Sequence, residues 1–291
     1  MKLIDGRKIH EEVIESLRVE INDKGITPKL AIIQIGSEAA SNIYISMKTV
    51  AARRTGIEIE LFNFKEFEIG LIPSLLNELN ARLEINGIII QLPVPGIQTP
   101  GILNEITALK DVDGLGADSL GTIWHNDRNT HLQLGATPKA ILKVLEEISL
   151  DQNIRLEEFL VGKNIVIINH NILIGRPLAG ALLNYNASVS ILHEYTRDID
   201  LFLAHADIII TATGKRIIDR RNTSILKDGV VIIDSGYSIA NGRSQGDVDL
   251  EALSNKASYA TPVPGGIGPI GVAMLMRNTL DAYFIQQGSP V

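Results

Sequence analysis

A chain of 291 residues is long enough for two ordinary domains and a substantial core, and its 45 % apolar content with only 4 % aromatics suits buried parallel strands better than a β-sandwich. A formal net charge of −7 without a basic block argues against nucleic acid as a partner, and zero cysteines exclude disulfides, thiolate metal sites and a cysteine nucleophile. No apolar run reaches the ~18 residues of a membrane span, and Met1-Lys-Leu-Ile-Asp-Gly6 lacks the apolar stretch of a secretory signal, so a cytoplasmic protein with no membrane contact is expected.

In chain order, helix-period stretches over 8–22, 41–55 and 70–84 alternate with Ile- and Val-rich runs. Those runs are Leu30–Ile35, Glu58–Phe64 and Gly87–Leu92. The β-α-β-α-β order predicts an α/β unit with a parallel sheet and right-handed crossovers. Pro138–Glu147 reads as a connecting helix, with Thr137 as N-cap and Pro138 at its first position. A second series follows: strands Asn164–Ile168, Ser188–Leu192, Asp207–Thr211 and Val230–Asp234, with a helix over 175–186. Its spacing of about 20–25 residues is that of a Rossmann-like sheet. A last helix is expected over 270–286.

Lys48 follows Tyr44 by one helical turn, so a phenol and an ammonium share a face. A lysine withdrawn from water loses its charge more readily and can then serve as acid or base; alternatively it is a solvated lysine above a half-buried ring. The third strand runs into Gln91-Leu-Pro-Val-Pro-Gly96, placing Gln91 near a carboxyl strand end as a ligand contact or a satisfied loop amide. Lys110-Asp-Val-Asp-Gly114 offers too few oxygens for a hard cation. It holds a carboxylate toward a ligand's N–H groups, or forms an ordinary Asx turn. No metal site is expected. Thr261-Pro-Val-Pro-Gly-Gly-Ile-Gly-Pro269, rich in glycine and proline ahead of a helix, is suited to close approach of a ligand.

The turn after the second series' first strand, Asn169-His170-Asn171-Ile-Leu-Ile-Gly175-Arg176-Pro177, keeps only Gly175 of a dinucleotide glycine pattern. Glu194 stands just beyond the next strand, where a carboxylate accepts from a ribose 2′-hydroxyl and repels a 2′-phosphate; nearby Arg197 acts in the opposite sense. Thr213 and Gly214, in Thr211-Ala-Thr-Gly-Lys215, supply a small-residue surface for a cofactor.

Taken together, Tyr44-x-x-x-Lys48, Gly87-Ile-Ile-Ile-Gln-Leu-Pro93, Lys110–Gly114, Thr137-Pro138, Gly175-Arg-Pro177, Ala212-Thr-Gly214, Gly246-Asp-Val-Asp249 and Thr261–Pro269 closely resemble the bifunctional methylenetetrahydrofolate dehydrogenase/methenyltetrahydrofolate cyclohydrolase family over nearly the whole chain. The resemblance implies a multifunctional cytoplasmic enzyme of one-carbon metabolism, oxidoreductase and hydrolase, that forms a homodimer. It implies an N-terminal α/β folate-binding catalytic domain over 1–136, with the terminal helix of 270–291 packing back on it. A Rossmann-like nucleotide-binding domain would occupy 137–269, with the tetrahydrofolate substrate in the cleft between the two.

Lys48 matches the family's catalytic lysine, Tyr44 the tyrosine that packs on folate, Gln91 the lysine's partner and Asp113 the carboxylate on the pterin. Leu92, Pro93, Pro264, Gly265 and Gly266 would complete the folate site. Asn169, His170, Asn171, Gly175, Arg176, Pro177, Glu194, Arg197, Thr213, Gly214 and Tyr237 would hold NADP or NAD. The family's Gly-Arg-Ser is here Asn169-His170-Asn171, its phosphate-binding serine is Glu194, a cysteine is Ala136 and a threonine is Gly271. The changes at 169–171 and at Glu194 weaken the expectation of NADP. They leave three readings: the ordinary bifunctional enzyme, a redox-impaired paralogue acting as cyclohydrolase or one-carbon transfer enzyme, and a non-catalytic folate-binding protein. Intact Tyr44, Lys48, Gln91 and Asp113 argue against the last.

Overall fold

The computed structural model describes residues 1–36, 38–94, 99–126, 133–240 and 242–288. Pro95 and Gly96 of the proline-rich exit after Gln91 lie outside the described residues. The chain divides into two compact units, one of Met1–Ile9 with Thr137–Gly271, the other of His10–Ala136 with Val272–Val291.

A short strand β1 (Lys2–Leu3) leads into helix α1 (Gly6–Lys24). The unit beginning at His10 is built on β2 (Lys29–Ile35), α2 (Ala39–Thr55), β3 (Glu58–Phe64), α3 (Ile72–Ala81) and β4 (Gly87–Ile90). The three strands form a parallel sheet in the order β3-β2-β4. Leu30–Ile33 of β2 and Ile88–Ile90 of β4 are fully or almost fully buried, as β-branched and aliphatic residues are when a parallel sheet is covered on both faces. β3 is an edge strand and alternates between exposed and half-buried residues. Short helices α4 (Thr99–Leu103) and α5 (Ala117–His125) flank the Lys110–Gly114 segment.

The other unit begins its main run with α6 (Ala136–Asp151), followed by α7 (Leu156–Leu160), β5 (Asn164–Ile168), α8 (Gly175–Leu183), β6 (Ser188–Leu192), α9 (Ile199–His205), β7 (Ile208–Thr211) and β8 (Val230–Asp234). A hairpin of β9 (Ser238–Ala240) and β10 (Arg243–Gln245) precedes β11 (Ala257–Ala260) and helix α10 (Ile267–Gln286). The six-stranded sheet has the order β1-β11-β8-β7-β5-β6 and every pairing in it is parallel. Its topological switch lies between β5 and β7, because the chain leaves β5 toward β6 and returns to the opposite side.

Three details differ from the sequence expectation. β1 pairs with β11, so residues 1–9 group with the second unit rather than opening the first. α6 starts at Ala136, which puts Thr137 and Pro138 inside its first turn, where a proline's missing N–H removes no helical bond. α10 starts at Ile267 and incorporates Pro269 in the same way. Among the described residues, no helix is long and apolar enough to cross a membrane.

Candidate functional site

Strand β2 and helix α2 are joined at their facing ends by Gln34, whose buried side chain donates to Asn42 Oδ1 at 2.6 Å. α2 carries Tyr44, 37 % exposed, and Lys48, half-buried one turn later. Lys48 Nζ donates to Gln91 Oε1 at 2.9 Å. Gln91 is itself held at both ends. Its backbone N–H donates to Ile33 O at 2.8 Å and its Nε2 to Leu92 O at 2.8 Å, which turns the amide oxygen toward the lysine. The Leu92–Pro93 peptide is cis, with Leu92 half-buried and Pro93 exposed.

In the Lys110–Gly114 segment, Lys110 and Asp111 are structural supports. Lys110 is buried and its ammonium donates to the carbonyls of Leu79, Asn80 and Arg82 at 2.9, 2.9 and 2.7 Å, closing the end of α3. Asp111, also buried, accepts from the N–H groups of Leu115 and Gly116 and from Ser119 Oγ ahead of and within α5. Gly114 has φ +64°, and a Cβ there would lie 2.4 Å from Gln133 O, so the turn admits only glycine. Asn278 of α10 donates to the carbonyls of Val112 and Leu134, fixing the segment from the other side.

What remains is Asp113, half-buried, whose charge acts on Lys48. Burial pushes the Lys48 ammonium below its ordinary range, with Asp113 opposing the shift. Burial likewise raises the Asp113 carboxyl; Lys48 opposes this and Asp111 adds to it. Lys48 thus combines a destabilised ammonium, an amide hydrogen-bond partner and a neighbouring carboxyl group. Tyr44, Lys48, Gln91, Leu92, Pro93 and Asp113 all belong to the unit that starts at His10.

The Pro264–Gly266 loop belongs to the other unit. The Val263–Pro264 peptide is cis, Pro264 is exposed and Gly266 is buried. A Cβ on Gly6 would lie 1.9 Å from Gly266 O, so Gly266 serves close packing while Pro264 and Gly265 present surface.

The β5–α8 turn is braced by its asparagines. Asn169 donates to Ala212 O and accepts from the N–H groups of Asn171 and Gly175; Asn171 Oδ1 accepts from Leu173 and Ile174. Gly175 allows the helix to touch the strand, since a Cβ there would lie 1.9 Å from Asn169 O. Gly175 and Pro177 are buried, whereas His170, Asn171 and Arg176 are exposed. Beyond β6, Glu194 and Arg197 are exposed, and a Glu194 carboxylate oxygen lies 3.9 Å from His170 Nδ1. His170 and His193 meet edge to face at 5.2 Å. At the carboxyl ends of β7 and β8, Thr213, Gly214 and Tyr237 come together: Cβ on Gly214 would lie 3.2 Å from Tyr237 O.

Sequence reasoning attached no role of their own to Gln34, Asn278, Asp234 or Asp247. Asp247 lies in Gly246-Asp-Val-Asp249, a signal in that reading only through the family pattern. Both acids are buried at the nucleotide-type end of the sheet.

A parallel α/β unit built on β2 to β4 and a doubly wound parallel sheet in the other unit define the class of α/β protein that joins a catalytic unit to a Rossmann-like nucleotide-binding unit. Comparison with known proteins gives the particular family. Residues 4–113 match the family model for the tetrahydrofolate dehydrogenase/cyclohydrolase catalytic domain, and residues 135–287 match that for its NAD(P)-binding domain. The chain belongs to the tetrahydrofolate dehydrogenase/cyclohydrolase family. It is 35 % identical to the bifunctional protein FolD of Hydrogenobaculum sp. over 97 % of this chain and 99 % of the relative. It is similar to the crystal structure of the bifunctional FolD enzyme from Campylobacter jejuni, with a TM-score of 0.89, 35 % identity and 97 % and 98 % of the two chains covered. For the bifunctional 5,10-methylenetetrahydrofolate dehydrogenase/cyclohydrolase from Thermoplasma acidophilum, the TM-score is 0.88 at 30 % identity, covering 99 % of this chain and 100 % of that one.

Proposed function

We propose that this chain oxidises 5,10-methylenetetrahydrofolate to the 5,10-methenyl cation with a nicotinamide nucleotide and hydrolyses that cation to 10-formyltetrahydrofolate. The observation that carries the reading is Lys48, bonded at 2.9 Å to an oriented Gln91 amide and lowered in pKa beside Asp113. In hydrolysis a water oxygen bonds to the cationic carbon, one carbon–nitrogen bond breaks, and one water proton passes to the departing nitrogen while the other is released. Lys48 carries the proton between these sites, Gln91 holds its ammonium, Asp113 accepts from adjacent pterin N–H groups and Tyr44 presents its ring to the folate. Leu92, Pro93, Pro264 and Gly265 supply further folate surface. Lys48→Met, measured by loss of methenyl absorbance, should slow hydrolysis by about 100-fold or more while folate affinity changes little. Unchanged hydrolysis would refute the role.

The nucleotide, when bound, accepts a hydride from the one-carbon bridge. Its candidate holders are His170, Asn171 and Arg176 at the β5–α8 turn, Glu194 and Arg197 beyond β6, and Thr213, Gly214 and Tyr237 at β7 and β8, with Asn169, Gly175 and Pro177 shaping the turn. The residues fit a dinucleotide across the switch point, and they favour NAD over NADP. Glu194 stands two residues beyond β6, where a carboxylate accepts from a free ribose 2′-hydroxyl and repels a 2′-phosphate. Glu194→Ser should raise the NADP/NAD ratio of kcat/KM by about tenfold; an unchanged ratio would remove charge repulsion as the cause.

The same reading includes a homodimer. β3 is an edge strand of its sheet, and exposed Leu61 and Phe67 accompany Ile43, Met47 and Val50, which recur at helical spacing along α2.

A further inference from the structure

Asp234 and Asp247 take no part in the chemistry above, yet they are 2 % and 0 % exposed at the carboxyl ends of the nucleotide-type sheet. Asp234 Oδ1 accepts from Gly236 N–H at 2.9 Å and from Thr211 Oγ1 at 3.3 Å, and its Oδ2 accepts from Val248 N–H at 2.9 Å. Asp247 Oδ2 accepts from the N–H and hydroxyl of Thr213 at 2.6 and 2.9 Å. Asp247 Oδ1 is buried without a hydrogen-bond partner among the described residues. The loops are tailored to bring the acids close. A Cβ on Gly236 would lie 1.9 Å from Asp247 Oδ1, and one on Gly246 would lie 2.1 Å from Asp234 Oδ2.

Two buried carboxylates, one with an unbonded oxygen, are a costly arrangement for packing alone. Asp247 holds Thr213, and Asp234 holds Gly236, the residue before Tyr237. In a doubly wound sheet a dinucleotide lies across the carboxyl strand ends at the switch point, here between β5 and β7. Glu194 on the β6 side suits the adenosine ribose, which leaves the β7–β8 side, with its paired acids, to the nicotinamide. That ring is cationic before it takes a hydride and neutral afterwards.

We propose that the Asp234–Asp247 pair is an electrostatic device that makes this unit bind the oxidised nicotinamide nucleotide in preference to the reduced one. The proposal rests on the nucleotide reading above. Buried charges act through a medium of low dielectric and outweigh more distant exposed ones. The neighbouring cations are poor compensation. The Arg216 guanidinium is bonded to Val248 O and Gln245, and Lys215 is exposed. Asp249 is turned to the N–H groups of Glu251 and Ala252, and the Tyr237 hydroxyl accepts from Ser244. Burial and the Asp247 charge raise the Asp234 carboxyl to about 6 against the pull of its backbone donors, so Asp234 carries its charge mainly above that pH.

The test is calorimetric titration of the full chain with NAD⁺ and with NADH. Asp247→Asn puts an amide nitrogen where the unbonded oxygen stands and keeps an acceptor for Thr213. At about pH 8 it should reduce the ratio Kd(NADH)/Kd(NAD⁺) about fivefold. The wild-type ratio should also fall between about pH 8 and about pH 5.5, and the adenosine and phosphate contributions cancel because both forms share them. Equal weakening of both forms by Asp247→Asn would mark a merely structural pair and overturn the proposal. If that variant fails to fold, a pH-independent wild-type ratio overturns it alone. A wild type that binds neither form overturns the nucleotide reading itself.

Discussion

Within the Lys110–Gly114 segment, neighbouring charges have opposite duties. Lys110 closes a helix and Asp111 caps another, which leaves Asp113 to face Lys48. Lys110→Met keeps most of the stem but leaves three carbonyls without their donor. Urea denaturation should show a loss of about 2 kcal/mol, with hydrolysis per folded molecule nearly unchanged. Asp113→Asn should do the reverse, removing folate affinity and turnover while leaving stability close to wild type. Asp234 adds a pH dependence. Its folded value of about 6 lies above the ordinary 3.8, so the folded state holds an extra proton between the two. Its contribution to stability is full below about pH 4 and is lost as the pH rises toward about 6, amounting to about 3 kcal/mol. Denaturation midpoints compared with Asp234→Asn across that window should show the fall in the wild type only; parallel profiles would exclude it.

Helices and loops position these residues by contacts far apart in sequence. Asn278 in α10 secures Val112 and Leu134, while Gln286 of the same helix donates to the carbonyls of Asn86 and Leu109. Asn278→Ala should therefore cost about 2–4 kcal/mol by leaving two carbonyls unpaired, and should raise KM for folate because the Asp113 turn loosens. At the other sheet, Gly175→Ala would force α8 away from β5, since no Cβ fits 1.9 Å from Asn169 O. The expected outcome is a loss of about 1–3 kcal/mol with nucleotide affinity reduced more than cyclohydrolase activity. Equal affinity would show that α8 does not set the nucleotide turn.

At the scale of the whole molecule, the family and the two parallel sheets of three and six strands agree with a two-unit α/β enzyme. The proposed homodimer predicts that Leu61→Glu, on the exposed face of the β3 edge, shifts sedimentation toward the monomer. Much of this organisation was legible in advance. Runs of Ile and Val separated by helix-period stretches located β2 to β8, because buried parallel strands must be apolar on both faces. β1 and β11 escaped notice: Lys2–Leu3 and Ala257–Ala260 are too short and too weakly apolar to carry a local signal, and become strands by pairing with neighbours. Helical spacing and turn chemistry only nominated Tyr44, Lys48 and the Asp111–Asp113 turn, and it was the resemblance of the motifs taken together that singled out Lys48 and Asp113. Only tertiary structure decided that Lys110 closes the end of α3, that Gly266 packs against Gly6, and that Asp247 is buried beside Asp234. Those outcomes depend on burial and on contacts between distant segments, and both arise only when the chain closes on itself.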